Sequence, residues 1–218
     1  MKFDLELMLS RLGGGMATTL WIFGITLLLA LPFGMIVAFG RMSKNAVIRN
    51  VVKVYISIMR GTPLMLQLLV VYFGPYFIFG MRLTPNSQNV AVVIGFMLNY
   101  AAYFAEIYRS GIESMPAGQY EAAAVLGYSK SQTFFHIILP QVIKRILPSL
   151  TNEVINLVKD TTLAFSIGVM ELFTRSKELA AAWANVIPYV GAGVFYYIFN
   201  YVVAWIMERF EKKLSYYK

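Results

Sequence analysis

Five charged or amide side chains lie within a largely apolar stretch of the sequence, between residues 146 and 170. At 100° per residue of an α-helix they fall within an arc of about 120°, and the residues on the opposite side are apolar. This polar face would be about 12 Å long at helical rise, which matches an extended amino acid. The five side chains, called the polar stripe below, are Asn152, Glu153, Asn156, Lys159 and Asp160.

Two interpretations of the polar stripe remain open. Its groups can pair with one another or with neighbouring helices and hold a bundle together. Alternatively, Glu153 and Asp160 attract a cationic ligand, because two carboxylates and one amine leave net negative charge on this face. Asn156 would then contribute neutral hydrogen bonds, and Lys159 would bind an anionic end such as a carboxylate. Gln67 is a weaker candidate for the same ligand pathway.

The composition is that of an integral membrane protein. Of the 218 residues, 58% are hydrophobic and only 14% are charged, which lies outside the range of soluble globular domains. A membrane-spanning helix needs roughly 20 mostly apolar residues. Four uncharged runs reach that length, and a fifth run carries the charges of the polar stripe. We therefore predict an all-α integral membrane protein with five transmembrane helices in one domain, residues 1–218. The predicted spans are 14–40, 58–81, 87–108, 146–170 and 185–208.

The basic residues predict the orientation of these spans. With the amino terminus outside, twelve of the 19 Lys and Arg residues, Lys218 among them, fall in cytoplasmic segments. Five, including Lys2, fall in external segments. Because basic residues are enriched on the cytoplasmic side of membrane proteins, we expect the carboxyl terminus in the cytoplasm. The net charge of +8 is then explained by basic residues in the cytoplasmic segments of a membrane protein. We therefore expect no nucleic acid as a partner.

The residue types exclude several kinds of chemistry. Cysteine is absent and histidine occurs once, as His136, which excludes thiol chemistry and sites built from several histidines. The sequence GYSKS at 127–131 resembles a phosphate-binding loop only superficially, because glycines of the pattern G-x-x-x-x-G-K-[ST] are missing. We therefore expect no catalytic residue, no metal site and no cofactor bound by this chain.

The longest connection between predicted spans runs from Glu106 to Arg145, on the cytoplasmic side in this orientation. Within it, the sequence EAAAVL at 121–126 favours a helix, and Gly127 is expected to end that helix in a left-handed conformation. The segment 117–140 would then present a short helix to a cytoplasmic partner. Composition alone fits an ordinary surface loop equally well.

A second short sequence, RGTPL at 60–64, has the pattern of a helix start. Thr62 is expected to be the N-cap of the second span, with Pro63 at its first helical position. Direct contact of this segment with a substrate is the alternative interpretation.

One motif in the long connection resembles a family signature. E-A-A at 121–123 is followed by Gly127 and then by I-x-L-P at 137–140. This spacing resembles the EAA signature of permease subunits of ATP-binding-cassette (ABC) importers.

Two further motifs narrow the resemblance. RGTPL at 60–64 and KDTTL at 159–163 are similar to the RGTPL and KDTSL patterns of the polar amino acid permeases, with Thr162 where serine is usual. The similarity extends from Thr18 to the carboxyl terminus. The chain is thus similar to the permease subunits of polar amino acid ABC importers.

This resemblance implies an architecture and a set of partners. The fold would be the five-helix permease of the ABC importer (MetI-like) type in a prokaryotic cytoplasmic (inner) membrane. Two cytoplasmic ATPase subunits, carrying ATP and Mg²⁺, would dock on a coupling helix that includes Glu121, Ala122, Ala123 and Gly127. A second permease subunit, with a homodimer favoured over a heterodimer, and an extracytoplasmic amino-acid-binding protein would complete the importer.

Function is then expected to be import of polar, cationic amino acids such as arginine, lysine or histidine, with ATP hydrolysis on a separate subunit. The chain itself would not be an enzyme. A secondary transporter whose Glu153 and Asp160 carry protons or sodium is the alternative. That alternative leaves the cytoplasmic EAA segment without a role.

Overall fold

The computed structural model describes residues 4–214 and contains helices without a strand in that range, which confirms the predicted all-α class. Lys2 and Lys218, both part of the charge count, lie outside the described residues. The α-helices are α1 (Leu5–Arg41), α2 (Ala46–Gly61), α3 (Leu64–Phe79), α4 (Pro85–Glu113), α5 (Ala117–Val125), α6 (Lys130–Gln132), α7 (Leu139–Asp160), α8 (Leu172–Trp183) and α9 (Ile187–Leu214). A π-helix (Thr133–Ile138) joins α6 to α7, and a 3₁₀-helix (Thr161–Ile167) follows α7.

Three helices in the described range, α1, α4 and α9, are long and apolar enough to cross a membrane. Helices α2 and α3 pass the same test only as a pair, and they are bent by 110° at the break between them. Residues 4–214 therefore supply three or four apolar spans. The predicted count of five spans and their orientation stay predictions.

Helices α1 and α4 form the most extensive helix pair of the bundle. They can approach closely because Gly34 faces α4, where a Cβ atom would lie 2.9 Å from Cβ of Phe104. Phe96, Tyr100 and Phe104 recur every four residues along α4 and are almost fully buried. This spacing places them on one helix face, so α4 is the central element of the core.

The chain breaks between α2 and α3, where the sequence predicted a helix start with Thr62 as N-cap. Thr62 instead ends α2 and donates its hydroxyl to the Ile58 carbonyl at 2.8 Å. Pro63 is the N-cap residue of α3, and its side chain makes no capping bond there. A residue before proline is pushed out of the helical region, and Thr62 is accordingly extended, with φ −125° and ψ 147°. The helix-start prediction was therefore wrong in detail, because the proline also terminates the helix before it.

The predicted fourth span, 146–170, does not coincide with one helix. Helix α7 ends at Asp160, and the 3₁₀-helix continues the chain to Gly168, which has a φ of 81°. Within the described chain α7 is not among the helices apolar enough to span a membrane alone. Its apolar side packs through Val154 and Val158 against Phe199 of α9. Its other side is therefore left to line a polar space within the bundle.

Candidate functional site

Three members of the polar stripe line one cavity of about 440 Å³ beside α7, called the stripe cavity below. These members are Glu153, Asn156 and Asp160, whereas Lys159 and Gln67 do not contribute to its wall. The structure thus gathers both predicted carboxylates and the neutral amide around one space. The other residues of the wall are Thr62, Pro63, Leu64, Met65, Asn99, Tyr100, Tyr103 and Leu163.

Lys159 is exposed and lies outside the wall of the stripe cavity, although it shares the polar face of α7. The expectation that it would bind an anionic ligand end in this space is therefore not supported by its position. Helical spacing places a residue on a face, but the neighbouring helices decide which part of that face borders the cavity.

Tyr100 is the polar partner that sequence reasoning missed. Its hydroxyl donates to Oδ2 of Asp160 at 2.7 Å, and its side chain is 2% exposed. This bond fixes the Asp160 carboxylate at the end of α7. No local signal in the sequence indicated this bond, because Tyr100 and Asp160 are 60 residues apart and meet only through the packing of α4 against α7.

A second cavity of about 500 Å³ adjoins the first, and Tyr103 and Glu153 line both. We call it the loop-side cavity because it extends to Ser114, where α4 ends and the connection to α5 begins. Together the two spaces form a polar path from the loop into the bundle. The remaining residues of its wall are Arg60, Glu106, Ile107, Arg109, Ser110, Gly111, Arg145, Ile146 and Ser149.

The charges of the loop-side cavity are mostly paired among themselves. Arg109 donates to both oxygens of Glu106, at 2.7 and 3.1 Å, and also pairs with Glu113. Arg145 donates to the Ser114 carbonyl at 3.1 Å and so caps the end of α4. Arg145, which lies on α7, thereby holds the end of α4 against that helix.

Gln67 has a structural position at the break between α2 and α3. Its Nε2 donates to Oγ1 of Thr62 at 2.8 Å and to the Met59 carbonyl at 2.9 Å. Its Oε1 accepts from Nδ2 of Asn99 at 3.0 Å, and Asn99 also donates to the Met59 carbonyl. The amide of Gln67, on α3, thus connects the end of α2 and the start of α3 to α4. Its hydrogen-bonding groups are engaged within the protein rather than directed into the cavity.

Glu171 is a second polar residue that the sequence did not single out. It is fully buried, and its carboxylate caps α8 by accepting from the backbone N–H groups of Phe173 and Thr174 at 2.6 and 2.7 Å. The hydroxyl of Tyr196 in α9 donates to it at 3.1 Å. A buried carboxylate needs such partners, and this one joins α8 to α9. Glu171 is not part of the stripe cavity wall.

The predicted coupling segment contains a short helix with an apolar tip. Helix α5 ends at Val125, and Gly127 follows with a φ of 78°, which confirms the predicted left-handed stop. The Tyr128 N–H reaches the Ala123 carbonyl at 3.0 Å, and the Gly127 N–H reaches that of Ala124. Val125 and Leu126, 88% and 73% exposed, form the tip.

The four predicted coupling residues divide into two groups. Glu121, Ala122 and Gly127 are exposed near the tip of α5, whereas Ala123 is buried against the rest of the segment. Helix α5 is tied to α7 by Gln119 and Gln141, whose side-chain amides exchange hydrogen bonds of 2.8 and 2.6 Å. The structure therefore joins this tip to the helix that carries the polar stripe.

Metal binding is not indicated by the described residues. Across residues 4–214, no group of three or more His, Asp or Glu side chains is arranged to hold a metal ion. The site is thus defined by hydrogen-bonding groups and fixed charges.

Comparisons with known proteins are consistent with this geometry. Residues 30–216 match the family of binding-protein-dependent transport system inner membrane components. The putative glutamine transport system permease protein GlnP of Rickettsia typhi is 38% identical over 191 residues, covering 87% of this chain and 86% of that protein. The L-cystine transport system permease protein TcyB of Bacillus subtilis is 35% identical over 208 residues, covering 94% and 87%. A crystal structure of an amino acid ABC transporter with histidines is 30% identical with a TM-score of 0.86, covering 98% of this chain and 100% of that one.

The bundle of apolar helices around a charged cavity defines a multi-pass membrane protein of the permease class, with the ABC importer permease fold. The chain belongs to the family of binding-protein-dependent transport system inner membrane components. The resemblance stated from the EAA, RGTPL and KDTTL motifs is thereby confirmed, as is the predicted location in the inner membrane.

We predict that Gln67→Met, which removes the amide at nearly constant volume, lowers the thermal unfolding midpoint of the purified protein in detergent. The substitution removes the hydrogen bonds that Gln67 makes to Thr62, Met59 and Asn99, a loss of about 1–3 kcal/mol. The control is Asn50→Leu, a similar amide-to-apolar change at an exposed position of α2. An unchanged midpoint together with weakened ligand binding would instead assign Gln67 to the ligand.

Proposed function

We propose that this chain is the permease subunit of an ATP-driven amino acid importer. The proposal is supported by membership of the binding-protein-dependent family together with the carboxylate-lined stripe cavity inside the bundle. Relatives named for glutamine and cystine transport, and a solved amino acid ABC transporter, favour an amino acid as the substrate class. ATP hydrolysis would take place on separate ATPase subunits.

The substrates we propose are the cationic amino acids arginine, lysine and histidine. Glu153 and Asp160 both line the stripe cavity, and no lysine is part of its wall. Charged groups inside a membrane protein are costly, and they are retained where they face a ligand or a water-filled cavity. Asn156 supplies a neutral amide between the two carboxylates along α7.

The partners follow from the same proposal. With the amino terminus outside and the carboxyl terminus in the cytoplasm, α5 lies on the cytoplasmic side and can dock on an ATPase through Val125 and Leu126. Two ATPase subunits would carry ATP and Mg²⁺. A second permease, a copy of this chain rather than a relative, and an extracytoplasmic binding protein would complete the complex in the bilayer.

The described helices offer a physical route for coupling. From Lys130 to Asp160 the chain is helical without interruption, through α6, the π-helix and α7. We call this continuous helical segment the rod. A force on α5 would reach the rod through the hydrogen bonds between Gln119 and Gln141, and could shift the polar stripe at the carboxyl-terminal end of α7. An ion-coupled secondary transporter would have no use for an exposed tip on α5, and family membership favours the importer.

The function is tested by uptake into proteoliposomes that contain the permease with its ATPase subunits and binding protein. We expect uptake of radiolabelled arginine that requires ATP on the side of the ATPase and stops when ATP is replaced by a non-hydrolysable analogue. A proton or sodium gradient alone should drive none. Uptake driven by such a gradient with the permease as the only protein would contradict the importer proposal.

A double substitution tests the charge of the stripe cavity. Because hydrogen bonds to charged groups contribute about 1.5–3 kcal/mol, Glu153→Gln with Asp160→Asn should weaken arginine binding to the purified complex by at least about tenfold. Glutamine binding should fall less. The control is Glu178→Gln, an exposed carboxylate on α8 outside the cavity wall. Unchanged arginine binding in the double variant would refute the cationic preference while leaving the importer function intact.

A third prediction concerns coupling. Gly127→Val places a β-branched residue at a φ of 78°, a conformation that only glycine adopts readily, and so redirects the tip of α5. We expect uptake to be lost while the complex still binds arginine and still hydrolyses ATP. Gly118→Val is the matched control, since Gly118 has no heavy atom within 4 Å of an added Cβ and lies in the same segment. Normal uptake by Gly127→Val would contradict the coupling role.

A further inference from the structure

The charged groups along the two cavities differ in how closely the rest of the described chain holds them. In the loop-side cavity Arg109 is paired with Glu106 and Glu113, and Arg145 donates to the Ser114 carbonyl. Arg60 is different. Its guanidinium is 3.8 Å from Oε2 of Glu106, too far for a hydrogen bond, and that oxygen already accepts from Arg109 at 2.7 Å. No hydrogen bond from the Arg60 guanidinium to another of residues 4–214 is present.

Arg60 also lies at the point where the two cavities meet. Its guanidinium carbon is 5.3 Å from the ring centre of Tyr103, and Tyr103 lines both cavities. Glu153 lines both as well. The side chain of Arg60 is 45% exposed in this position, so a ligand in the cavities can reach its donors.

We propose that Arg60 binds the α-carboxylate of the transported amino acid. This inference rests on the proposed amino acid import and names the group that recognises the backbone of the substrate. A guanidinium presents two parallel N–H donors to a carboxylate, which makes arginine well suited to this contact. Glu153 and Asp160 then face the positive groups of the same molecule.

The charges of this site mirror those of a dibasic amino acid. Arginine or lysine carries two positive groups and one carboxylate, and the site offers Glu153, Asp160 and Arg60 as their counterparts. The two carboxylates are seven residues apart on α7, a separation of about 10 Å at helical rise. The two cations of such a substrate are closer together than this, so each carboxylate can lie just beyond one of them.

Arg60 replaces Lys159 in the role that the sequence suggested for the lysine. Lys159 is exposed and does not line the stripe cavity, whereas Arg60 lines the adjoining space that shares Glu153 with it. The position of Arg60 is fixed by the break that follows it. Gln67 and Asn99 hold the Met59 carbonyl, one residue before Arg60, against α4.

The test pairs removal of Arg60 with removal of the substrate carboxylate. Affinities for L-arginine and for agmatine, which is arginine without its α-carboxylate, are measured on the purified complex of permease and ATPase without binding protein. We expect the wild-type complex to bind arginine about 10- to 100-fold more tightly than agmatine. In Arg60→Gln this ratio should fall to near unity through weaker arginine binding, with agmatine affinity unchanged. Arg60→Lys, which keeps the charge but not the planar fork, should give an intermediate ratio.

Controls separate this proposal from its alternatives. If Arg60 had only a structural role, Arg60→Gln would weaken both ligands equally and preserve the ratio, which would overturn the proposal. Lys159→Gln should keep the wild-type ratio, and a collapse of the ratio there instead would also overturn it. If the wild-type complex prefers glutamine to arginine, the same affinity ratio is measured with glutamine and the amine formed by its decarboxylation. The proposed function itself would be contradicted if the wild-type complex bound none of five amino acids: arginine, lysine, histidine, glutamine and cystine.

Discussion

The stripe cavity depends on the helix break between α2 and α3, whose polar backbone groups are satisfied inside the bundle. Non-helical backbone at membrane depth is tolerated only where it is buried in protein or borders a water-filled space. The break at Thr62 and Pro63 meets this requirement through Gln67 and Asn99, which bond the exposed carbonyl and hydroxyl groups. Because α2 turns away by 110° there, Thr62 and Pro63 can line the stripe cavity opposite α7.

The position of α7 between α9 and the stripe cavity explains why this helix carries the polar stripe and is not uniformly apolar. A helix with one polar and one apolar face can bury Val154 and Val158 against α9 while presenting Glu153 and Asp160 to the cavity. The π-helix before α7 precedes Pro140, which lacks the N–H that an α-helical bond to the carbonyl four residues earlier would need. A wider turn at this point lets the rod from α6 to α7 continue past the proline.

Sequence reasoning succeeded where local chemistry decides the structure. Gly127 could be placed in a left-handed stop because glycine alone is favoured there, and the carboxylates of the stripe share a face by helical periodicity. It failed where a distant element decides. Tyr100 and Arg60 reach the cavities from α4 and α2, some 60 and 93 residues before Asp160 and Glu153 respectively. Pairings across such separations depend on how helices pack, which no local pattern specifies.

Charge balance rather than cavity size is the property of this site that can distinguish among amino acids. A space of about 440 Å³ admits arginine, glutamine and histidine alike. An amino acid with a neutral side chain has one ammonium group, so one carboxylate of the wall would face it without a positive partner. The hydroxyl of Tyr100 already satisfies one oxygen of Asp160, whereas Glu153 is shared by both cavities and can meet a cation in either. Selectivity would therefore be decided mainly at Glu153, which lines both cavities.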